Sequence, residues 1–319
     1  MSVSPVIPVD KWLIIVNPNA GIGKGGRDWQ GISHLLNQAG LDHICILTEH
    51  RNHANLIVSE FIEEGYRNFA VVGGDGTLNE TVNGILTQRF CDPLSITLGM
   101  IPVGSGNDWC RMFGIPFDYQ KAVDILVQKR TYTQDVGFIR YQHKEEQHLR
   151  YFANVAGMGY DALVAKKTNI FKDQGKGGPL TYLYFVFASL FQFSFPDAII
   201  SVDDKEVFRG DIFSMNAGVC RFNGGGMMQV PFAIPDDGLL DITLIKKTAK
   251  IKVIRYSTKL YDGTLVNLPF VKVFRGKKVR MESKKKIYLE ADGESLGHTP
   301  FEFGILPKTL KVVYNEIAV

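Results

Sequence analysis

The sequence is poor in the features that mark secreted, metal-clustered or nucleic-acid-binding proteins. Only four of its 319 residues are cysteines, and no two have CxxC spacing, so neither a disulfide framework nor a cysteine metal site is predicted. The N-terminal residues MSVSPVIPVDKW lack a basic stretch followed by an apolar one, which predicts no signal peptide and a cytoplasmic location. The formal net charge of +3 is too small to indicate a nucleic-acid partner.

A long apolar run is also missing, with one borderline case. The segment GGPLTYLYFVFASLFQFSFP, residues 177–196, carries no charge. A spanning helix needs roughly 20 predominantly apolar residues, and this segment contains two serines, a threonine and a glutamine. It is too short and too polar to predict a membrane span. We expect a buried core helix here, or alternatively a helix that faces a lipid-binding cleft.

Acidic residues are scarce in one part of the chain. From Lys246 to Lys286 there are fourteen lysines and arginines but only two acids, Asp262 and Glu282. Such a segment can be a solvated face of the protein. It can also be a surface that meets an anionic partner such as a membrane.

The first half of the chain alternates between strand and helix patterns. Its strand segments are short, apolar and uninterrupted, which is typical of a parallel sheet covered on both faces. The predicted strands are 11–18, 42–48, 68–74 and 96–104, and the predicted helices are 28–40, 53–66, 77–88 and 119–130.

After residue 133 the pattern changes to short strands separated by turns. Asp203-Asp204 and Gly276-Lys277 stand where hairpin turns belong. Only 159–170, 180–195 and a third segment near 249–261 have helical patterns. We therefore expect an α/β nucleotide-binding domain over 9–133 and an antiparallel β-sandwich domain over 134–309.

Glycine-rich segments follow three of the four predicted parallel strands. They are NPNAGIGKGG, GGDGTLNE and PVGSGND, and Thr48 ends the remaining strand. The carboxyl ends of parallel strands meet at one sheet edge, where ligands of open α/β sheets bind. Glycines let backbone N–H groups approach an anion, and Thr48, Thr77 and Ser105 add hydroxyl groups. The three segments together predict a phosphate-binding edge.

One alternative is a dinucleotide-binding oxidoreductase, because Gly21, Gly23 and Gly26 match GxGxxG and Glu49 lies downstream. Four residues, 17–20, separate the strand from Gly21, so the tight turn of that fingerprint is absent. The alternative also leaves GGDGT and GSGND unexplained. The Walker A pattern GxxxxGK[ST] does not occur.

Asp75 places a negative charge within this predicted phosphate-binding edge. A carboxylate there would repel a phosphate unless a cation lay between them, and Mg²⁺ bridging the two groups resolves that conflict. The alternative is a turn aspartate that binds nearby amides.

Several motifs occur in an order that closely resembles the diacylglycerol kinase catalytic domain family, which includes bacterial lipid kinases and the sphingosine and ceramide kinases. The motifs are NPNAG, GGDGTLNETVNG, IPVGSGNDWCRMFGIP, DDGLLDITLI and ADGE. GGDGT alone is shared with NAD kinases, whereas the ordered set is more specific. The resemblance covers residues 11–313. It implies ATP in a cleft between the two domains and a last strand, 310–319, that returns to the first.

The resemblance also implies roles for individual residues. Glu294 of ADGE would be the proton acceptor, with Asp75 the next candidate, and Asp161 would lie in a supporting position. Asp237 would bind a second, structural Mg²⁺, helped by the carbonyls of Ile234 and Leu239. The implied nucleotide contacts are Asn17, Pro18, Asn19, Ala20, Gly21, Thr48, Gly74, Asp75, Gly76, Thr77, Leu78, Asn79, Glu80 and Ser105.

The sequence therefore predicts an ATP- and Mg²⁺-dependent lipid kinase that phosphorylates a hydroxyl of a diacylglycerol-like or sphingoid lipid. A carboxylate with a reference pKa of about 4.3 is a weak base, and it needs to accept the proton only late in the transfer. For Glu294 the alternative is a surface turn residue. For the whole chain the alternatives are a kinase of a soluble substrate such as NAD and a nucleotide-binding regulator. We expect a lipid substrate at the inner membrane face, and the sequence also allows a homodimer.

Overall fold

The computed structural model describes residues 10–104, 106–173 and 188–318. The chain divides into two compact units. The first unit comprises Met1–Gln134 and Thr309–Val319, and the second comprises Asp135–Lys308.

The first unit contains a parallel sheet with helices. Four of its strands lie in the order β4-β3-β1-β2, and all neighbours pair in parallel. The end of the last strand of the chain joins this sheet, since Lys311 and Val312 pair in parallel with Thr97 and Leu98. The strands are β1 Trp12–Val16, β2 His43–Leu47, β3 Asn68–Gly73 and β4 Thr97–Pro102, and the helices are α1 Ala20–Gln38, α2 His53–Glu64, α3 Asp75–Thr87, α4 Asp108–Met112 and α5 Tyr119–Gln128.

The burial of these strands follows from their sequences. Every residue of β1, β3 and β4 is buried, as expected for apolar strands with helices on both faces. β2 lies at the edge of the sheet and is only partly buried. The predicted parallel α/β fold is confirmed.

The second unit contains an antiparallel sheet. Its main path runs β13-β12-β9-β7-β15-β16, while β14 pairs with β8 and β16, and β5 pairs with β6 and β16. The predicted antiparallel class is confirmed. The strands are β5 Thr131–His143, β6 Glu146–Phe152, β7 Val155–Gly159, β8 Asp197–Val202, β9 Lys205–Gly218, β10 Phe222–Asn223, β11 Met227–Met228, β12 Leu240–Lys246, β13 Val271–Gly276, β14 Lys278–Glu282, β15 Tyr288–Ala291 and β16 Glu294–Val313, and the helices are α6 Tyr160–Asp173 and α7 Lys250–Tyr256.

Of the two predicted hairpin turns, one is confirmed and one is wrong. Asp203 and Asp204 have φ of 47° and 62° and join the paired strands β8 and β9, as in a type I′ turn. Gly276 and Lys277 join β13 and β14, which do not pair with each other. A β-carbon at Gly276 would lie 2.3 Å from Val202 Cγ1, so this glycine permits close packing and does not form a hairpin turn.

The predicted helices of the second unit are present where the structure describes them. The pattern at 159–170 corresponds to α6, and that near 249–261 corresponds to α7 followed by a 3₁₀ segment, Ser257–Leu260. Residues 177–187 of the uncharged segment lie outside the described residues, while 188–192 are helical and Leu190 is buried. No helix among the described residues has the length and apolar character needed to cross a membrane.

Candidate active site

Three glycine-rich loops meet at one edge of the parallel sheet. β1 and β4 both pair with β3, so the residues that follow these three strands are neighbours. The N–H groups of Val103 and Gly104 donate to the Gly73 carbonyl at 2.8 and 3.2 Å. A β-carbon at Gly104 would lie 2.9 Å from Gly74 Cα, so these two backbones approach as closely as only glycine allows.

The loop after β1 is held to the loop after β3 by a side chain. Asn17 Nδ2 donates to Thr77 Oγ1 at 2.8 Å, while Asn17 Oδ1 accepts from the Asn19 N–H at 3.0 Å. Asn17 therefore holds its own loop and fixes the distance to the GGDGT loop.

The same loop has an unusual backbone. Gly21, Ile22 and Gly23 have φ of 60°, 60° and 75°, so regular helix begins only after Gly23. A β-carbon at Gly21 would lie 2.4 Å from the Val103 carbonyl oxygen, which makes glycine necessary there. The loop is longer than the tight turn of a dinucleotide fingerprint, and this agrees with the objection raised from the sequence.

Asp75 connects the second loop to the third. It is the first residue of α3, and its carboxylate accepts the N–H groups of Asp108 at 3.2 Å and Trp109 at 3.3 Å. These amides belong to the first turn of α4, 33 and 34 residues along the chain. Asp75 is half-exposed, so solvent reaches part of this residue at the edge where the loops meet.

The other implied nucleotide contacts differ in what they present. Leu78 and Asn79 are buried, and the Glu80 carboxylate accepts the N–H groups of Asn52 at 2.6 Å and Ala54 at 3.2 Å. Glu80 thereby caps the start of α2. Thr48 is buried at the end of β2, and Ser105 lies outside the described residues.

Asn107 belongs to GSGND but was not singled out from the sequence. It has φ of 50°, is fully buried, and its Nδ2 donates to the Gly104 carbonyl at 2.6 Å. Its Oδ1 is buried, has no hydrogen-bond partner among the residues that the structure describes, and lies 3.7 Å from where a Gly74 β-carbon would be. The signal that could have found it is the asparagine in a glycine-rich turn, because asparagine tolerates positive φ.

In the second unit the ADGE motif forms a tight turn. Asp292 and Gly293 have φ of 48° and 84° and connect β15 to β16, as in a type I′ turn. The buried Asp292 carboxylate accepts three backbone N–H groups, from Ala153 at 2.8 Å, Asn154 at 3.1 Å and Val155 at 3.2 Å. Glu294 follows as the first residue of β16 and is half-buried.

Glu290 supports this turn through a hydrogen bond to Gly293. No role for this residue was predicted from the sequence. Its carboxylate accepts from Asn223 Nδ2 and from the Gly293 N–H, both at 2.9 Å. Burial raises the pKa of Glu290 to about 8, although both hydrogen bonds lower it. A β-carbon at Gly157 would lie 2.6 Å from Glu290 Oε1 and 2.9 Å from Asn216 Oδ1, so glycine at 157 leaves the space that these side chains fill.

Asp161 lies in the same polar cluster. Asn216 Nδ2 donates to Asp161 Oδ2 at 3.0 Å, and burial raises the pKa of Asp161 to about 6. The carboxylates of Asp161 and Asp292 also raise the pKa of Glu290.

The proposed second Mg²⁺ ligand, Asp237, already has two partners. Its Oδ1 accepts the Leu239 N–H at 3.0 Å, and its Oδ2 accepts from Arg275 Nη2. Arg275 Nε also pairs with Asp241 Oδ1 at 2.9 Å, because Asp241 and Arg275 are opposite each other on β12 and β13. The described residues contain no group of three or more His, Cys, Asp or Glu side chains suited to a metal ion. Mg²⁺ at Asp237 Oδ2 would have to displace a guanidinium.

Comparison with known proteins agrees with this arrangement. The family model of the diacylglycerol kinase catalytic domain matches residues 11–139. The family model of the YegS C-terminal NAD kinase beta sandwich-like domain matches residues 154–314. The chain belongs to the diacylglycerol kinase family. Membership of this family identifies the protein as a lipid kinase and therefore as an enzyme. The two alternatives of a nucleotide-binding regulator and a dinucleotide-binding oxidoreductase are set aside.

Relatives of this lipid kinase match along nearly their whole length. A diacylglycerol kinase of Mycobacterium tuberculosis (strain ATCC 25618 / H37Rv) is 30% identical over 306 residues, which cover 96% of this chain and 95% of that one. A diacylglycerol kinase of Staphylococcus haemolyticus (strain JCSC1435) is 30% identical over 308 residues, covering 95% and 89%. A crystal structure of a diacylglycerol kinase from Bacillus anthracis str. Sterne, 23% identical, has the same fold with a TM-score of 0.71 over 96% of this chain and 97% of that one.

Proposed function

We propose that this lipid kinase transfers the γ-phosphoryl group of Mg²⁺–ATP to a hydroxyl of a diacylglycerol-like lipid, with a sphingoid base as the second candidate. The observation that carries the proposal is the meeting of three glycine-rich loops around Asp75. Phosphoryl transfer depends mainly on positioning and on neutralising charge, and such an edge supplies both. The names of the relatives favour diacylglycerol over a sphingoid base.

In this proposal the first unit binds the nucleotide. The backbone of residues 17–21 and 74–77 approaches the phosphates, since the glycines there leave room and the start of α3 favours negative charge. The side chains of Leu78 and Asn79 are buried and that of Glu80 caps α2, so in this proposal they support the loop and residues 78–80 contact the nucleotide through their backbone.

The residues present fit a Mg²⁺ ion at Asp75. Asp75 is half-exposed, and the hydrogen bonds that its carboxylate accepts from the Asp108 and Trp109 N–H groups hold it in place. Mg²⁺ prefers carboxylate and phosphate oxygens, and when bound it would neutralise charge between Asp75 and the nucleotide. Asp75 would hold the ion directly or through water.

In the second unit Glu294 accepts the proton of the lipid hydroxyl. Its position is set by the turn before it, which Asp292 ties to three amides and Glu290 ties through Gly293. Two buried carboxyl groups thus orient a third that is half-buried. Rigid support of this kind is what a group needs to meet a reacting atom in one geometry.

The second unit also has a surface suited to a membrane. Phe191, Ile251 and Tyr261 are 68%, 70% and 58% exposed, and Leu190 and Leu260, which precede Phe191 and Tyr261 in the chain, belong to one apolar cluster. Lys250 Nζ donates to the Phe191 carbonyl at 2.7 Å, so the exposed Phe191 lies beside the start of the lysine-containing helix α7. Exposed apolar side chains beside basic ones favour an anionic lipid surface, where the substrate would be collected.

A substrate panel tests the proposal. Purified protein with Mg²⁺ and γ-labelled ATP is offered diacylglycerol in mixed micelles, a sphingoid base, glycerol and NAD, and transfer of label to each is measured. We expect transfer to diacylglycerol, with Asp75→Asn lowering it by orders of magnitude. Asp124→Asn removes the same charge from an exposed position on α5 and should leave transfer intact. Label on NAD alone, or equal loss in both variants, would overturn the proposal.

A further inference from the structure

A cationic pocket lies in the second unit, and no step of the proposed reaction uses it. Its volume is about 370 Å³, within the range of small-ligand pockets. The strands β15 and β16 form one side, with the start of α6 and the end of β5 around it. Three lysines, two histidines, a tyrosine and a serine supply its polar groups: Lys144, Lys166, Lys286, His143, His298, Tyr288 and Ser295.

None of the described residues that line the pocket carries a carboxylate. Lys144, Lys166 and Lys286 form no ion pair with an acid in the part of the chain that the structure describes. Other cations of the same sheet are paired, since Lys278 and Arg280 both contact Asp204 and Glu302. Among the described residues, these three lysines therefore differ from Lys278 and Arg280 in having no acid as an ion-pair partner.

Local packing gives part of this pocket a defined shape. Lys166 Nζ lies 4.3 Å from the centre of the Tyr288 ring, and Tyr288 is opposite His298 across the β15–β16 pairing. A β-carbon at Gly297 would lie 2.0 Å from the Gln142 carbonyl oxygen, so a glycine is required where β16 passes β5. These contacts hold a lysine, an imidazole and an aromatic ring around one space.

We infer that this pocket binds a phosphate monoester. A monoester carries a charge of about −1.5 to −2 at neutral pH and three strong acceptor oxygens, which suits several ammonium groups together with the hydroxyls of Tyr288 and Ser295. A phosphodiester carries a single charge and fewer terminal oxygens, so it should bind more weakly. The shared chemistry has two sources: the headgroup of a phosphorylated lipid in a membrane, or free phosphate in solution. The inference concerns binding alone and does not depend on the proposed substrate.

Charge reversal with a matched control tests the inference. The double variant Lys166→Glu, Lys286→Glu removes pocket cations, whereas Lys284→Glu, Lys285→Glu changes the net charge equally at exposed positions outside the pocket. Binding without ATP is measured by cosedimentation with phosphatidylcholine vesicles that contain phosphatidic acid. Vesicles that contain phosphatidylglycerol, with the same total charge as the phosphatidic acid vesicles, measure the binding that is due to charge alone. Inorganic phosphate is added as a competitor.

We expect the wild type and the control variant to prefer phosphatidic acid, and the pocket variant to lose that preference by about tenfold or more. If inorganic phosphate lowers the binding of the wild type to phosphatidic acid, free phosphate enters the pocket. If the wild type keeps its preference when inorganic phosphate is added, the ligand of the pocket is the lipid headgroup. Equal loss in both double variants, or no preference in the wild type, would overturn the inference. If either double variant fails to fold, the comparison is repeated with methionine instead of glutamate, as Lys166→Met, Lys286→Met against Lys284→Met, Lys285→Met.

Discussion

Glu290→Gln should change how stability depends on pH. Glu290 is only 2% exposed, and burial raises the pKa of its carboxyl from 4.5 to about 8. The folded state therefore binds a proton that the unfolded state releases between those two values. At 1.36 kcal/mol for each pKa unit, the wild type should lose about 5 kcal/mol of unfolding free energy as pH rises through this window.

Glutamine cannot ionise, so the variant should not show this loss. Its oxygen can still accept from the Gly293 N–H, and the hydrogen-bonded amides of Asn223 and Gln229 can flip together so that Asn223 accepts from the glutamine NH₂ group. Some pH dependence should remain from Asp161, whose pKa of about 6 gives a loss of the same sign. We therefore expect the variant to gain stability relative to the wild type on going from about pH 5 to about pH 9.

Urea unfolding at several pH values measures this difference, with m-values compared to confirm a similar transition. Glu282→Gln is the control, because Glu282 is exposed on β14, which does not pair with the strand that carries Glu290. The control should follow the wild type at every pH. If Glu290→Gln also followed the wild type, the buried carboxyl would not be protonated in the folded protein, and the reasoning from burial would fail.

Three further outcomes are expected. Asp75→Asn should weaken Mg²⁺–ATP binding in calorimetry as well as lower kcat, and unchanged binding would place the ion elsewhere. Glu294→Gln should lower kcat by about 10²–10⁴-fold with ATP affinity nearly unchanged, as removal of a general base does; a selective loss of ATP affinity would move the proton-acceptor role to Asp75. Because Arg275 pairs with both Asp237 and Asp241, chelation should leave the unfolding temperature of the nucleotide-free wild type unchanged, while Arg275→Met should be less stable and respond to Mg²⁺. A wild-type protein destabilised by chelation would instead support the structural Mg²⁺ implied by the family.

Much of the fold could be predicted because it depends on local pattern. Apolar runs such as WLIIV and NFAVVG are buried on both faces of a parallel sheet, which periodicity and length already indicate. The Asp292-Gly293 turn has the positive φ values that Asp-Gly prefers between two strands. Gly276-Lys277 carried a similar signal and was wrong, because strand partners are chosen by the whole sheet and not by the turn.

The sequence by itself determined where backbone could approach an anion, since glycine after a buried strand is a local property of the chain. It also determined the family, through motifs whose order does not require coordinates. Only the tertiary structure decided what each charged group touches. Asp75 binds amides 33 and 34 residues away, Glu80 caps a helix 26 to 28 residues before it, and Arg275 reaches Asp237 across 38 residues. Such partners depend on which strands and helices pack together, and a carboxylate looks the same in sequence whether it faces a metal, an amide or a guanidinium.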